Sequence, residues 1–177
     1  MKSKTKILTF SALMAASAFA VVWLGSLVGV LDISAACIAS FFILAVCLEA
    51  GYGWALLAYA AASALSLLLT ADKTAAVIFA AFFGIYAVFR AILGRIRPKW
   101  LSWAVKILVF NAMLAVILTI IRFVLTTGDF DYPTLIVVFT LVLAQAVFVI
   151  YDIALEKLTR IYFFRFHDRV SSVLKKR

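Results

Sequence analysis

Between Ile33 and Gly94, three apolar segments follow one another with only short joints between them. The first joint reads Glu49-Ala50-Gly51-Tyr52-Gly53-Trp54 and the second Thr70-Ala71-Asp72-Lys73-Thr74. Each segment is about 17–20 residues long, and a helix rising about 1.5 Å per residue then crosses the roughly 30 Å hydrocarbon layer of a bilayer. Joints this short force successive helices to lie side by side, up-down-up. Composition fits such a chain and excludes an ordinary soluble domain: 67% of the 177 residues are hydrophobic and 14% charged, with mean hydropathy +1.17. There is room for about six spans and little else.

Taken in order, the first apolar run follows Lys2, Lys4 and Lys6 and continues to Val30. It resembles a signal peptide at Ala16-Ser17-Ala18 and Ala18-Phe19-Ala20, but it runs on past both points and is expected to stay as a first span. Ala12, Ala16 and Ala20 recur every fourth residue and share one face, so another helix can approach closely there. That face is either an internal packing seam or a docking surface for a partner protein. The second span begins near Ile33 after Asp32 and ends at Glu49, where Gly51 and Gly53 permit a tight turn between Tyr52 and Trp54 at the interface. The third, Ala55 to Leu69, repeats the small-residue spacing at Ala58, Ala62 and Ser66. The fourth, Ala75 to Leu93, repeats it at Ala76, Ala80 and Gly84 and ends at Arg90.

A basic loop, Gly94-Arg95-Ile96-Arg97-Pro98-Lys99-Trp100, leads into a fifth span of about Leu101 to Thr126, and Trp100 and Trp103 anchor its start. Asp129 and Asp131 precede Pro133, which suits the first turn of a helix, and a sixth span runs from Thr134 to about Leu155. This gives an all-α fold of six transmembrane helices over residues 1–157 and a basic amphipathic cytoplasmic tail over 158–177. In the tail Phe163, Phe166, Val170, Val173 and Leu174 share one helical face against an anionic leaflet.

The +9 charge follows topology and does not point to nucleic acid. Lys2, Lys4, Lys6, Arg90, Arg95, Arg97, Lys99 and the basic tail fall on one side. Asp32, Asp72 with Lys73, Asp129 and Asp131 fall on the other. By the positive-inside rule both termini of a multi-pass cell-membrane protein are cytoplasmic. Cys37 and Cys47 lie about 15 Å apart along one helix and cannot bridge each other. No nucleophile–base pair, metal-ligand cluster or phosphate loop is visible, so neither an enzyme nor a cofactor is expected, and His167 reads as an interfacial residue of the tail.

The polar residues inside the spans are the candidates for function. Glu49 and Arg90 lie at matching ends of neighbouring helices, and Lys106 has Asp152 and Glu156 at its depth, so ion pairing is expected. Asn111, Arg122 and Gln145 place polar groups in the middle and outer half of the last two spans. They are candidate binding residues for a small solute, or Asn111 and Gln145 hydrogen-bond each other across helices.

Six spans, cytoplasmic ends and the Ala12-xxx-Ala16 stripe near the cytoplasmic end of span one resemble the substrate-binding S-component of energy-coupling-factor vitamin transporters. The resemblance covers the whole chain as topology. It implies an S-component-like bundle that binds a vitamin-like solute in its outer half for uptake. It further implies that Ala12, Ala16 and Ala20 meet a transmembrane coupling subunit driven by ATPases. The turn Gly51-Tyr52-Gly53-Trp54 and the segment Phe82-Phe83-Gly84 are also similar to uncharacterised bacterial membrane proteins. The same topology resembles the rod-shape-determining membrane scaffold, which implies a different class: a protein that recruits partner proteins through its helix faces.

Overall fold

A computed structural model describes residues 4–28, 30–70, 72–93, 99–125, 134–165 and 170, with side chains described throughout except at 99, 117–125 and 134–140. The described residues form six helices and no strand. They are α1 (Lys4–Ser26), α2 (Asp32–Ala50), α3 (Tyr52–Leu69), α4 (Lys73–Leu93), α5 (Lys99–Leu125) and α6 (Thr134–Arg165). The first four, at 23, 19, 18 and 21 residues, are each long and apolar enough to cross a membrane.

The joints form as their residues dictate. One residue separates α2 from α3, and it is Gly51 at φ 95°, a left-handed conformation that costs a glycine little and a side chain much. Asp72 opens α4 as its N-cap: its Oδ1 accepts the Thr74 backbone N–H at 2.9 Å and the Thr74 hydroxyl at 2.8 Å. Both bonds favour the ionised carboxylate and hold Asp72 below the usual aspartate range.

α1 to α4 make a closely packed body built on small residues. Ser11, Ala15, Ala18, Val22 and Gly25 of α1 are buried, as are Ala55, Ala58, Ala62 and Ser66 of α3. The Ala58–Ala62–Ser66 spacing seen in the sequence is therefore an interior seam. Where α1 turns into α2 the backbones nearly touch: a Cβ on Gly25 would overlap that of Ala35. The exterior is the apolar surface, with Leu13, Leu57, Leu68, Leu108 and Ile150 all more than half exposed, the inverse of a water-soluble protein.

α4 is interrupted by one wide turn, Phe79–Phe83, in which the Gly84 N–H reaches back five residues to the Phe79 carbonyl. The turn also separates Ala80, only half-buried, from the buried Ala76 and Gly84 at either side of it. α5 packs against α4, and α6 against α2. α6 is a single helix of 32 residues that continues across positions 157 and 158 to Arg165. No glycine or proline falls in Glu156–Arg165 to stop it, and Arg160 pairs with Glu156 one turn back at 3.3 Å. Of the amphipathic face expected in the tail, Phe163 is exposed on α6 and Val170 is half-buried, whereas Phe166, Val173 and Leu174 lie outside the described residues, as does His167.

Candidate functional site

The polar residues buried at the meeting of α4, α5 and α6 converge on one carboxylate. Asp152, fully buried on α6, accepts three hydrogen bonds. Tyr86 Oη donates to its Oδ1 at 2.9 Å, Arg90 Nε donates to the same oxygen at 2.9 Å, and Lys106 Nζ donates to Oδ2 at 2.6 Å. Arg90 and Lys106 are themselves almost fully enclosed. Arg90 also reaches the Thr159 hydroxyl at 3.4 Å and lies 4.0 Å from the exposed carboxylate of Glu156. Lys106 lies over the Trp103 ring, 5.1 Å from its centroid.

Local helix geometry explains the convergence. Tyr86 and Arg90 are four residues apart and share a face of α4. Asp152 and Leu155 of α6 occupy the face that also carries Phe148. An aromatic wall closes the cluster on the side away from Leu93. Phe110 stacks on Phe148 with centroids 4.3 Å apart, and Phe82 packs against Tyr86 at 5.4 Å. Tyr151 completes the wall against Phe83 at 4.7 Å, and its hydroxyl lies 2.7 Å from Ser40 Oγ of α2. With water excluded, each charge here is tolerable only because its partner is in place.

The contacts also fix direction. Lys106–Asp152, Phe110–Phe148 and Asn111–Gln145 run α5 and α6 antiparallel. Ser40–Tyr151 and Tyr162–Glu49 run α2 and α6 parallel. Glu49, Arg90 and Tyr162 consequently belong to one end of the bundle.

Of the pairings expected from sequence, Lys106 with Asp152 is present. Arg90, expected with Glu49, has Asp152 and Glu156 as its ion-pair partners, and the buried Glu49 Oε1 accepts the Tyr162 hydroxyl at 3.3 Å. The sequence supplies the depth of each charge but not the side of the helix on which it emerges. Tyr86, Ser40 and Tyr151 were missed altogether. The one available signal was the Tyr86–Arg90 spacing, which puts a hydroxyl beside a buried cation.

The candidate solute residues are placed as follows. Gln145 Nε2 donates to Asn111 Oδ1 at 2.8 Å, and Asn111 Nδ2 donates to its own helix at the Ile107 carbonyl, 2.8 Å away. Asn111 is exposed and Gln145 half-buried. Arg122 belongs to α5 about three turns beyond Asn111, and its side chain lies outside those described. Ala12, Ala16 and Ala20 form an exposed face of α1, opposite the buried Ser11, Ala15 and Ala18.

Comparison with known proteins adds no family. No protein-family model matches the chain, and no curated protein or solved structure matches it significantly. Function is therefore read from these residues alone.

Proposed function

We propose that this chain is a six-span membrane protein with both termini cytoplasmic, and that it works by docking a partner helix on the outward face of α1. The observation that carries this reading is that α1 has two small-residue faces. Ser11, Ala15 and Ala18 are used up in the body, while Ala12, Ala16 and Ala20 remain outside. In lipid there is little hydrophobic gain from pairing helices, so close approach over small residues is what makes a docking face. The topology is supported by the one-sided placement of Lys and Arg and by the common direction of α2 and α6, which brings Glu49 and Tyr162 to one end.

Two partnerships use such a face: a scaffold that recruits other membrane proteins, and a solute-binding subunit coupled to an ATPase-driven transporter, as in the S-component resemblance. The buried polar groups favour the scaffold, because Asp152, Arg90, Lys106 and Tyr86 satisfy one another and act as a clamp between helices. The uptake reading draws its support from the Asn111–Gln145 amide pair, two polar side chains offered at the α5–α6 contact.

A photo-cross-linking residue at position 16 tests the docking face in intact cells. A discrete protein adduct is expected, and Ala16→Trp should remove that adduct for a neighbouring probe at position 12 without lowering thermal stability in detergent. Adducts with lipid alone would refute docking. Thermal stabilisation by any member of a panel of water-soluble vitamins, lost in Asn111→Leu, would select uptake over the scaffold.

A further inference from the structure

The wide turn of α4 lies one turn before the residues that hold Asp152. Nothing within Phe79-Ala80-Ala81-Phe82-Phe83 requires it, for there is neither proline nor a polar side chain there, and such turns are rare. The turn is held from outside. Tyr59 of α3 donates its hydroxyl to the Ala80 carbonyl at 2.6 Å. Gly84 leaves the space that the Tyr59 ring fills, since a Cβ at that position would lie 2.6 Å from Cδ2 and 2.8 Å from Cε2 of the ring. A side chain from α3 and a missing side chain on α4 thus meet at the same turn.

A turn of this kind takes in one residue more than an α-turn. If it rewound as α-helix, everything beyond it would rotate by about 100° and shift by about 1.5 Å relative to what precedes it. The preceding segment is fixed by the Asp72 cap and by the fully buried Ala75 and Ala76. The following segment carries Tyr86 and Arg90. Rotation would take both away from Asp152 and bring Ile85 and Phe89, one residue earlier, to the positions they leave.

We propose that Phe79–Phe83 is a two-position joint in α4, with Tyr59 as its catch and Gly84 as the seat of that catch. When Tyr59 is engaged, Tyr86 and Arg90 face Asp152 and clamp α4 to α6. When it is released, α4 winds as one continuous helix and Arg90 leaves the carboxylate. A movement of α3 is thereby transmitted to the contact between α4, α5 and α6.

The test uses a nitroxide label on Phe89→Cys, in the full chain with Cys37→Ala and Cys47→Ala, reconstituted in lipid nanodiscs. Phe89 is 39% exposed, so the engaged form gives a mobile, oxygen-accessible label and the released form an immobilised, shielded one. Tyr59→Phe and, independently, Gly84→Ala should each raise the immobilised fraction several-fold. Deleting Ala81 removes the extra residue and leaves both flanks in their present register. Added to either variant, the deletion should therefore restore the mobile spectrum. Unchanged spectra in Tyr59→Phe and Gly84→Ala would overturn the joint, as would immobilisation caused by the deletion itself. If both variants fail to fold and the deletion does not rescue them, Tyr59 and Gly84 serve packing alone and the proposal falls.

Discussion

Asp152 is the acceptor on which two basic side chains and a phenol depend, so its loss is felt more than the loss of any one of them. Asp152→Leu leaves Lys106 enclosed without a counter-charge and Arg90 with only the exposed Glu156 at 4.0 Å, and breaking a buried pair in this way typically costs about 3–5 kcal/mol. Tyr86→Phe removes one hydrogen bond and leaves the ion pairs, a loss of about 1 kcal/mol. The triple change Arg90→Leu, Lys106→Leu, Asp152→Leu should recover much of what Asp152→Leu loses. Unfolding in mixed micelles by added dodecyl sulfate ranks these variants. If Tyr86→Phe and Asp152→Leu proved equal, the carboxylate would not be the centre of the cluster. Asp72 answers to pH instead. Its carboxyl lies below the usual range in the folded chain, so its cap stabilises above the unfolded value and is lost as the pH falls through the folded one. The difference in melting temperature between the native chain and Asp72→Ala should accordingly shrink on acidification, whereas a constant difference across the carboxylate range would rule out an ionised cap. Lys106 with Asp152 was legible because a single cation shared a depth with the carboxylates of Asp152 and Glu156, although depth alone did not say which of the two it meets. Arg90 with Asp152 was not, because residue numbers give height along a helix and leave its azimuth open.

At the scale of the helix, α1 offers a direct comparison between two alanines. Ala18 is fully buried and Ala16 faces outward. Ala18→Leu forces extra carbons into a filled seam and should cost about 1–3 kcal/mol. Ala16→Leu adds them outside and should leave the melting temperature in detergent where it was; equal losses would place both faces in the interior. The stripe itself was visible in the sequence, but which stripe faced inward was not, since small residues line both sides of α1. The two joints around α3 were legible for a definite reason: Gly51 supplies the positive φ and Asp72 supplies the cap. The wide turn in α4 left no such mark. Its cause, Tyr59, sits on another helix, and no local pattern in Phe79–Phe83 records it. The continuation of α6 to Arg165 was hidden by the change in composition near Glu156, where polarity rises although nothing breaks the helix.

Across the whole molecule, the assignment of sides can be checked with single cysteines in a chain carrying Cys37→Ala and Cys47→Ala. Cysteines at Asp72 and at Asp129, the latter outside the described residues, should react with an impermeant maleimide applied to intact cells. A cysteine at Arg97, also outside them, should react only after lysis, and labelling there from outside would invert the topology. α5 and α6, at 27 and 32 residues, are longer than the helices of the body. They are roughly 40 and 48 Å long, more than the hydrocarbon layer is thick, so in the proposed topology each tilts or reaches beyond it. The same two helices have a consequence for the order in which the protein is made. Arg90 leaves the ribosome 62 residues before Asp152 and Lys106 leaves 46 residues before it. In the proposed six-span topology both cations therefore reach the bilayer before the carboxylate that neutralises them has emerged. On that topology the seating of α4 and α5 is provisional until α6 arrives, and a chain that stops short of Asp152 carries two unmet charges.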